Sequence, residues 1–277
     1  MNNKIAIVIL TYNCERILRK TILAAKKIHQ NIIILDSYSS DKTLKIAKEL
    51  QCIVFKRKFI NYSKQRNYII RKCNKKYQWQ LHLDADEVLS EKLIKNIKDV
   101  LFKNKKNTAY LIKREIFFLK QKLKFGGTSN YHLRFFPSNT SKCEDRLYDQ
   151  HFVTKLKTCK IDGVLNDMNI NNLSEWISAH NKWSSLAAKE RLKKRKNFVK
   201  ENLFGNSIER VRFIKQKINY LPLGIKGFIL FLIKYIILFG FLDGKKGFIY
   251  CFLNSFWFHT LIDAKKLELK KIKVDKF

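Results

Sequence analysis

The sequence has little proline, glycine and negative charge. Among 277 residues there are two prolines and nine glycines, and 23 acidic residues stand against 57 lysines and arginines, which gives a formal net charge of +34. With 46% hydrophobic residues the chain can bury a substantial core, so its composition excludes a disordered protein. The basic excess indicates acidic partners, namely nucleic acid, an anionic membrane surface or phosphorylated substrates. The length fits one large domain or one domain with an appendage.

Several common site signatures are absent from the sequence. The six cysteines form no C-x-x-C pair and no zinc-ligand spacing, and a reduced cytosolic location is the simplest interpretation. Neither G-x-G-x-x-G nor a Walker A sequence occurs, so neither of the common glycine-rich phosphate loops is present. The apolar run at residues 5–10 is too short for a signal peptide and lacks a small-residue cleavage site.

Long apolar runs are also missing. The longest charge-free run in the C-terminal region, residues 247–262, falls short of the roughly 20 residues that a spanning helix needs. The other apolar stretch, residues 225–242, contains Lys226 and Lys234. These stretches fit buried core helices, a re-entrant hairpin or interfacial helices. Residues 182–217 carry twelve basic residues against three Glu, which favours association with the anionic inner face of the cell membrane over a true span.

Alternating strand and helix patterns fill the first hundred residues. We predict strands at residues 4–10, 31–35, 52–55 and 78–83, separated by helical patterns, and the next helix from about residue 90. This alternation predicts an α/β fold, with a mostly parallel sheet and flanking helices. Short strands follow at residues 110–113, 115–119 and 131–136, and from residue 173 the pattern is helical. On one face of this last helix, His180 is interpreted as a packed residue rather than a catalytic one.

Polar side chains come at the ends of three predicted strands. Thr11 and Asn13 follow the first, Asp36 ends the second, and Asp84-Ala85-Asp86-Glu87 closes the fourth. In a parallel sheet these ends share one edge, where open α/β folds bind ligands. Two carboxylates one residue apart can share a hard divalent cation that keeps waters and phosphates as its other ligands. The alternative is a solvated turn with a helix N-cap.

Four ordered segments carry a family resemblance. They are Ile9-Leu10-Thr11-Tyr12-Asn13, Leu35-Asp36-Ser37-Tyr38-Ser39-Ser40-Asp41-Lys42-Thr43, Lys64-Gln65-Arg66-Asn67 and Leu83-Asp84-Ala85-Asp86-Glu87. Their order and spacing resemble glycosyltransferase family 2, in the branch of lipopolysaccharide-core glucosyltransferases. The C-terminal segments at residues 240–248 and 263–268 resemble the tail of that branch. The resemblance implies a GT-A fold, with a catalytic domain at residues 1–170 and a basic, apolar helical region at residues 171–277. Within the domain, residues 1–105 would bind the nucleotide sugar and residues 106–170 the acceptor.

The resemblance also implies roles for the site residues. Thr11, Asn13 and Asp36 would hold the base and ribose of a nucleotide-diphosphate sugar, with Lys64 and Arg66 near its phosphates. Asp84 and Asp86 would flank a divalent cation, Mn²⁺ or Mg²⁺, with Asp86 the more direct ligand. Arg134 would face the diphosphate or pair with a carboxylate.

Inverting transfer needs a base that takes the proton of the acceptor hydroxyl. Residues 143–152 hold the candidates, Asp149 first and then Glu144 and Asp145. From the resemblance to the lipopolysaccharide-core glucosyltransferase branch we expect a His-Glu pair near here. This chain has Asp149-Gln150-His151 instead. A salt-bridged loop around Arg146 is the structural alternative.

These observations predict a metal-dependent inverting hexosyltransferase. It would use a UDP-sugar, act on a lipid-linked or envelope glycan acceptor and lie at the inner face of the cell membrane. Nucleotidyl transfer to sugar phosphates is one alternative, although the chain lacks a glycine-rich N-terminal phosphate loop. A basic nucleic-acid-binding protein is another, but no recognisable binding module is present, so we expect no nucleic-acid partner. The sequence leaves the oligomeric state open.

Overall fold

A computed structural model describes residues 4–104, 106–168, 172–193 and 222–274. The chain divides into two compact units. The first comprises residues 1–123, 128–146 and 150–170, and the second comprises residues 124–127, 147–149 and 171–277. The short stretch that contains Asp149 therefore belongs to the second unit.

The first unit is an α/β structure built on a mixed sheet. Its strands are β1 (Ile5–Thr11), β2 (Ile32–Asp36), β3 (Ile53–Lys56), β4 (Trp79–Asp84), β5 (Glu87–Leu89), β6 (Thr108–Phe118), β7 (Gln121–Lys122), β8 (Asn130–Pro137), β9 (Ser141–Cys143), β10 (Phe152–Thr154) and β11 (Lys157–Asp167). Its helices are α1 (Glu15–Lys26), α2 (Thr43–Glu49), α3 (Tyr62–Asn74) and α4 (Glu91–Lys103).

The main sheet has the strand order β3-β2-β1-β4-β8-β6-β11-β5, and β7 pairs with β6. Strands β1 to β4 run parallel, as predicted for the first hundred residues. Strand β8 is antiparallel to both neighbours, and β6 and β11 are again parallel. Strand β1 is buried along most of its length, because a parallel strand covered on both faces needs a continuous apolar run. The predicted α/β class is confirmed.

Two details of the second half differ from the prediction. The strands predicted at residues 110–113 and 115–119 form one continuous strand, β6. The eleven-residue strand β11 was not predicted, because polar residues and Gly163 interrupt its apolar pattern. After the acidic cluster, Glu87 begins β5 and the helix cap is Ser90, whose hydroxyl accepts from the Leu93 N–H at 3.3 Å. The cluster is therefore not the N-cap of α4.

The second unit is helical in its described residues. It contains α5 (Leu173–Leu192), α6 (Ile225–Leu232), α7 (Gly244–Cys251) and α8 (Phe258–Val274). A π-helical turn (Ile233–Ile237) extends α6, a 3₁₀ turn (Gly240–Asp243) precedes α7, and a second π-helical turn (Phe252–Trp257) joins α7 to α8. A capping box of Asn172 and Glu175 opens α5.

The core of the second unit lies between α5 and α8, where Ala187, Ala188, Phe258 and Ile262 are buried together. His180 is also buried, its Nδ1 donates to the Trp176 carbonyl at 2.9 Å, and its ring stacks on the Trp176 ring. This environment is that of a packed residue. Much of the predicted basic segment, residues 194–221, lies outside the described residues.

No single helix among the described residues meets the length and hydropathy needed to cross a bilayer. One pair meets those criteria together, namely residues 225–237 with residues 240–271, which are bent by 74° relative to each other.

Candidate active site

Strand register brings the polar strand ends to one edge of the sheet. Thr11 at the end of β1 is the ladder partner of Asp36 at the end of β2. On the other side of β1, Leu10 is the partner of Asp84 at the end of β4. The carboxyl ends of three adjacent parallel strands thus meet here, which is where open α/β sheets bind ligands.

Asp36 organises the loop that follows β2. Its Oδ2 accepts from the Thr11 hydroxyl at 2.9 Å and from the Ser39 hydroxyl at 2.6 Å, and its Oδ1 accepts from the Ser39 N–H at 2.9 Å. Asn13 joins the same loop, because its N–H donates to Ser39 Oγ and its Oδ1 accepts from the Ser40 N–H, both at 2.9 Å. Thr11, Asn13 and Asp36, three residues predicted to bind the nucleoside, therefore share one hydrogen-bonded loop.

Asp84 is held by two buried arginines. Its Oδ1 pairs with Arg66 Nη2, and its Oδ2 pairs with Arg134 Nη2 at 2.7 Å. The Arg66 guanidinium also donates to the Leu83 carbonyl at 3.2 Å. Burial opposes ionisation of Asp84, but the positive charges of Arg134 and Arg66 hold its pKa well below its usual range. Asp84 is thus a charged carboxylate at neutral pH.

Glu87 completes this arrangement from strand β5. Its Oε1 accepts from Arg134 Nη2 at 2.8 Å, and its Oε2 accepts from the Asp84 N–H at 2.9 Å. The side chain is almost fully buried. Burial raises the pKa of Glu87 to about 7. The positive charge of Arg134 opposes this rise, and the negative charge of Asp84 adds to it.

Arg134 reaches both carboxylates from an irregular position in β8. Tyr110 pairs with Phe135 and Leu111 with Leu133, so Arg134 is the extra residue of a β-bulge. Bulges redirect side chains and are common beside active sites. Both Asp84 and Glu87 raise the pKa of Arg134 above its ordinary value, against the effect of burial, so it stays charged. Of the two roles predicted for Arg134, the structure shows the pairing with carboxylates.

Asp86 has a different environment from Asp84. No other residue in the described ranges donates a hydrogen bond or ion pair to its carboxylate. Burial and the nearby carboxylates of Asp167, Asp84 and Glu87 raise the pKa of Asp86 well above its usual value. Its backbone carbonyl accepts from the Met168 N–H at 3.0 Å, which holds it against the end of β11.

The oxygen donors around Asp86 suit a hard cation. Within the described ranges, no three His, Cys, Asp or Glu side chains form a complete metal site by themselves. Mg²⁺-type ions commonly need only one or two carboxylates, because waters and substrate phosphates supply the other ligands. An uncompensated Asp86 beside an arginine-neutralised Asp84 fits that kind of binding.

Helix α3 connects this cluster to the loop after β9. Asn61 caps the helix, accepting from the Lys64 N–H at 2.8 Å. The Ser63 hydroxyl contacts the Glu144 carbonyl and donates to the Arg146 carbonyl at 2.9 Å. Asn67 exchanges two hydrogen bonds with the Cys143 backbone, at 2.8 and 2.9 Å. One helix therefore carries Arg66 and also fixes the loop that contains Glu144.

The three predicted bases lie in different surroundings. Glu144 is buried, and its Oε2 accepts from the His151 N–H at 3.1 Å, which closes the loop between them. Asp145 is exposed, with its Oδ2 3.6 Å from Lys64 Nζ. Asp149 has a left-handed backbone, with φ of 55°, and belongs to the second unit. The assignment of the base to Asp149 stays a prediction.

Two residues of this region were not singled out from the sequence. Asp167 is the ladder partner of Glu87, and its carboxylate lies 3.7 Å from Arg114. His132 shares β8 with Arg134, and burial together with the charges of Arg114 and Arg134 lowers its pKa to about 2, so it is neutral at pH 7. Asp167 lies on β11 and is paired with residues of β5 and β6, and His132 lies on β8 near the charges of Arg114 and Arg134. No local motif in the sequence marks these contacts.

Comparison with known proteins identifies the family. The glycosyl transferase family 2 domain matches residues 6–147, just over half of the chain. The chain therefore belongs to glycosyl transferase family 2, whose members are transferases that use nucleotide-sugar donors. The predicted family is confirmed, and membership does not favour the nucleotidyltransferase and nucleic-acid-binding alternatives.

The chain is also similar to rickettsial proteins and, more distantly, to two solved structures. An uncharacterized glycosyltransferase of Rickettsia typhi is 27% identical over 209 residues, 70% of either chain. Another, of Rickettsia bellii, is 32% identical over 111 residues, 40% of this chain and just over a third of that protein. Residues 1–349 of Staphylococcus aureus TarS are 12% identical at a TM-score of 0.44, over 96% of this chain and 91% of that one. Mycobacterium tuberculosis glucosyl-3-phosphoglycerate synthase was solved with Mn²⁺, uridine diphosphate and phosphoglyceric acid. It is 14% identical at a TM-score of 0.31, over 42% of this chain and 44% of that one.

Proposed function

We propose that this protein transfers a hexose from a UDP-sugar to a lipid-linked or envelope glycan acceptor, with inversion at the anomeric carbon and dependence on Mn²⁺ or Mg²⁺. The reaction type follows from family membership. The donor, the acceptor, the cation and the assignment to the lipopolysaccharide-core branch are parts of the proposal. The supporting observation is the contrast between Asp84, which pairs with two arginines, and Asp86, which lies near the carboxylates of Asp167, Asp84 and Glu87.

On the donor side, the loop of Thr11, Asn13 and Asp36 binds the uridine, since it lies at the ends of β1 and β2 beside the acidic cluster. Asp86 holds the cation, with Asp84 beside it. A bound divalent cation supplies Lewis-acid compensation for the negative charge of the leaving diphosphate. Arg66 and Arg134 fix the Asp84 carboxylate, and Lys64, exposed on the first turn of α3, meets the phosphates.

On the acceptor side, a carboxylate removes the proton of the attacking hydroxyl. We assign this role to Asp149, with Glu144 and Asp145 as the alternatives. Glu144 is the weaker candidate because its carboxylate is buried and closes its own loop. Asp145 is exposed and faces Lys64, so it suits an electrostatic role beside the phosphates.

The charge and the apolar surface of the second unit support a proposal for the location. We propose a peripheral position on the inner face of the cell membrane, where a lipid-linked acceptor is within reach. The net charge of +34 favours an anionic surface.

The test is the variant Asp86→Asn, which keeps the shape of the side chain and removes its charge. We expect Mn²⁺-dependent binding of UDP, measured by calorimetry, to weaken at least tenfold, and Mn²⁺-dependent hydrolysis of UDP-glucose to fall at least a hundredfold. A panel of other nucleotide sugars extends the assay if UDP-glucose is not the donor.

The matched control is Asp99→Asn, which removes one exposed carboxylate from α4. This variant should bind and hydrolyse as the unaltered protein does. Unchanged Mn²⁺-dependent turnover in folded Asp86→Asn would exclude Asp86 as the cation ligand.

A further inference from the structure

The second unit exposes a concentrated apolar surface at its sharpest bend. Between α6 and α7, six large apolar side chains in seven residues are at least 41% exposed: Ile236, Ile237, Leu238, Phe239, Phe241 and Leu242. No charged residue occurs between Tyr235 and Leu242. We name residues 236–242 the apolar tip. Soluble surfaces rarely group large apolar side chains in this way, and such patches mark interaction sites.

The backbone of the apolar tip is strained in a way that holds an aromatic ring outward. Phe239 has a left-handed backbone, with φ of 57° and ψ of 29°, and its side chain is 54% exposed. A bulky residue in this conformation is a true outlier, and Gly or Asn would largely avoid the steric cost. The Phe239 ring contacts the ring of Phe241, whose side chain is itself exposed, with 6.1 Å between the ring centroids. The strain therefore indicates a role for the exposed ring itself.

The tip is supported by close backbone contacts rather than being loose. The Leu238 carbonyl accepts from the Gly126 N–H at 2.7 Å, and Asp243 accepts from the backbone N–H groups of Lys124 and Phe125. A Cβ on Gly240 would lie 2.7 Å from both Cys251 Sγ and the Lys234 carbonyl, so only glycine fits there. The apolar side chains are consequently presented from a firm base.

The charge around the apolar tip indicates which kind of partner binds to it. Residues 222–274 contain nine lysines and three acidic residues, and Lys245 is exposed three residues after the tip. A second copy of this chain would bring like charges together. An anionic bilayer would instead accept the apolar side chains and neutralise the lysines in the headgroup layer.

We propose that the apolar tip inserts into the interfacial layer of an anionic membrane, with Phe239 as its leading side chain. This inference rests on the proposed membrane-surface location and makes it specific. The 74° bend between the two helical segments places the tip at a vertex, so that a few side chains enter the layer without either segment spanning it.

The test measures how the full-length chain partitions onto vesicles. Wild type and Phe239→Asn are compared by flotation with vesicles of phosphatidylcholine alone and with vesicles that contain about 30% phosphatidylglycerol, which supplies the anionic surface. Asn is chosen because it tolerates the left-handed backbone. We expect the variant to fold at least as stably and to bind the anionic vesicles about tenfold more weakly. The double variant Ile237→Gln with Phe239→Asn should bind the anionic vesicles about a hundredfold more weakly than wild type does.

Phe102→Asn is the matched control, because Phe102 is an 86% exposed phenylalanine on α4 of the first unit. It should partition as wild type does. Equal losses in the two single variants, or no loss in Phe239→Asn, would overturn the proposal. So would light scattering that shows a dimer dissociated by Phe239→Asn, with no vesicle binding by wild type. UDP binding in detergent-free solution should be the same in all variants, which separates a failure of this proposal from a failure of the proposed function.

Discussion

Arg134 joins the carboxylates of Asp84 and Glu87, and it is the cation paired with the buried Glu87. In Arg134→Met, Asp84 keeps Arg66, but Glu87 loses its cation. Removing one partner of a buried ion pair leaves an uncompensated charge, and we expect a loss of about 3 kcal/mol in the free energy of unfolding. Urea denaturation at pH 8, followed by circular dichroism, measures it. Adding Glu87→Gln should restore part of the loss.

The control for this prediction is Arg19→Met. Arg19 pairs with Glu49, but both side chains are about half exposed, so the expected loss is below about 1 kcal/mol. Equal losses for the two variants would contradict the bridging role of Arg134.

At the residue level, the sequence located the donor-side residues better than their partners. Thr11, Asn13, Asp36 and Asp84 were placed at one sheet edge from strand patterns, and the register brings those strand ends together. The pairing of Arg134 with Glu87 was not predictable, because it depends on a one-residue bulge in β8 that no local pattern reveals.

Strand β11 depends on one glycine where it meets α4. Gly163 has φ of +103°, and a Cβ there would lie 2.5 Å from the Leu93 nitrogen. The Ser90 hydroxyl also accepts from the Val164 N–H at 3.0 Å, so strand and helix start are joined at this point. We expect Gly163→Ala to lower the free energy of unfolding by more than about 2 kcal/mol, because it combines backbone strain with overpacking.

Thermal unfolding checks this prediction against the neighbouring variant Asp162→Ala. Asp162 is exposed and pairs with the exposed Lys92, so its removal should change the midpoint little. If Gly163→Ala and Asp162→Ala have the same midpoint of thermal unfolding, the close approach of Gly163 to Leu93 does not constrain the residue at this position.

At the element level, apolar periodicity was reliable where strands are buried on both faces. Strands β1, β2 and β4 were predicted to within about two residues. Strand β6 was predicted as two pieces, residues 110–113 and 115–119, that meet at the charged residues Lys113, Arg114 and Glu115. These side chains instead form ion pairs, such as Arg114 with Asp167 of β11. Charged residues inside a strand become intelligible only when the neighbouring strand is known.

The whole molecule should respond to acid through its buried neutral histidines. Burial lowers the pKa of His180 from 6.5 to about 4. Between these values the unfolded chain binds a proton that the folded chain does not, so stability is full above pH 6.5 and is lost as the pH falls towards 4. The slope is about 1.4 kcal/mol per pH unit. We expect His180→Gln to flatten this dependence, as measured by urea denaturation from pH 7.5 to 4.5.

At pH 7.5 both proteins have an uncharged side chain at this position, so their difference there reports packing alone. Parallel curves for the two proteins over the whole range would mean that His180 does not contribute to acid sensitivity. The fluorescence of Trp176, which stacks on His180, gives a local readout.

Net charge and the class of fold were the whole-molecule properties that the sequence predicted well. Composition excluded disorder, and the alternating pattern gave the α/β class. Residues 124–127 and 147–149 belong to the helical unit although they lie within the first 170 residues. Local patterns could not predict that assignment, because it depends on contacts such as Asp243 with the Lys124 N–H.

The contacts of helix α3 have a consequence for substrate binding. It carries Arg66, which fixes Asp84, and through Ser63 and Asn67 it also fixes the loop that contains Glu144 and Asp145. A displacement of this one helix would therefore reach Asp84 on the proposed donor side and Glu144, an alternative base, on the proposed acceptor side. Donor and acceptor binding should then be thermodynamically linked, so that each substrate lowers the dissociation constant of the other.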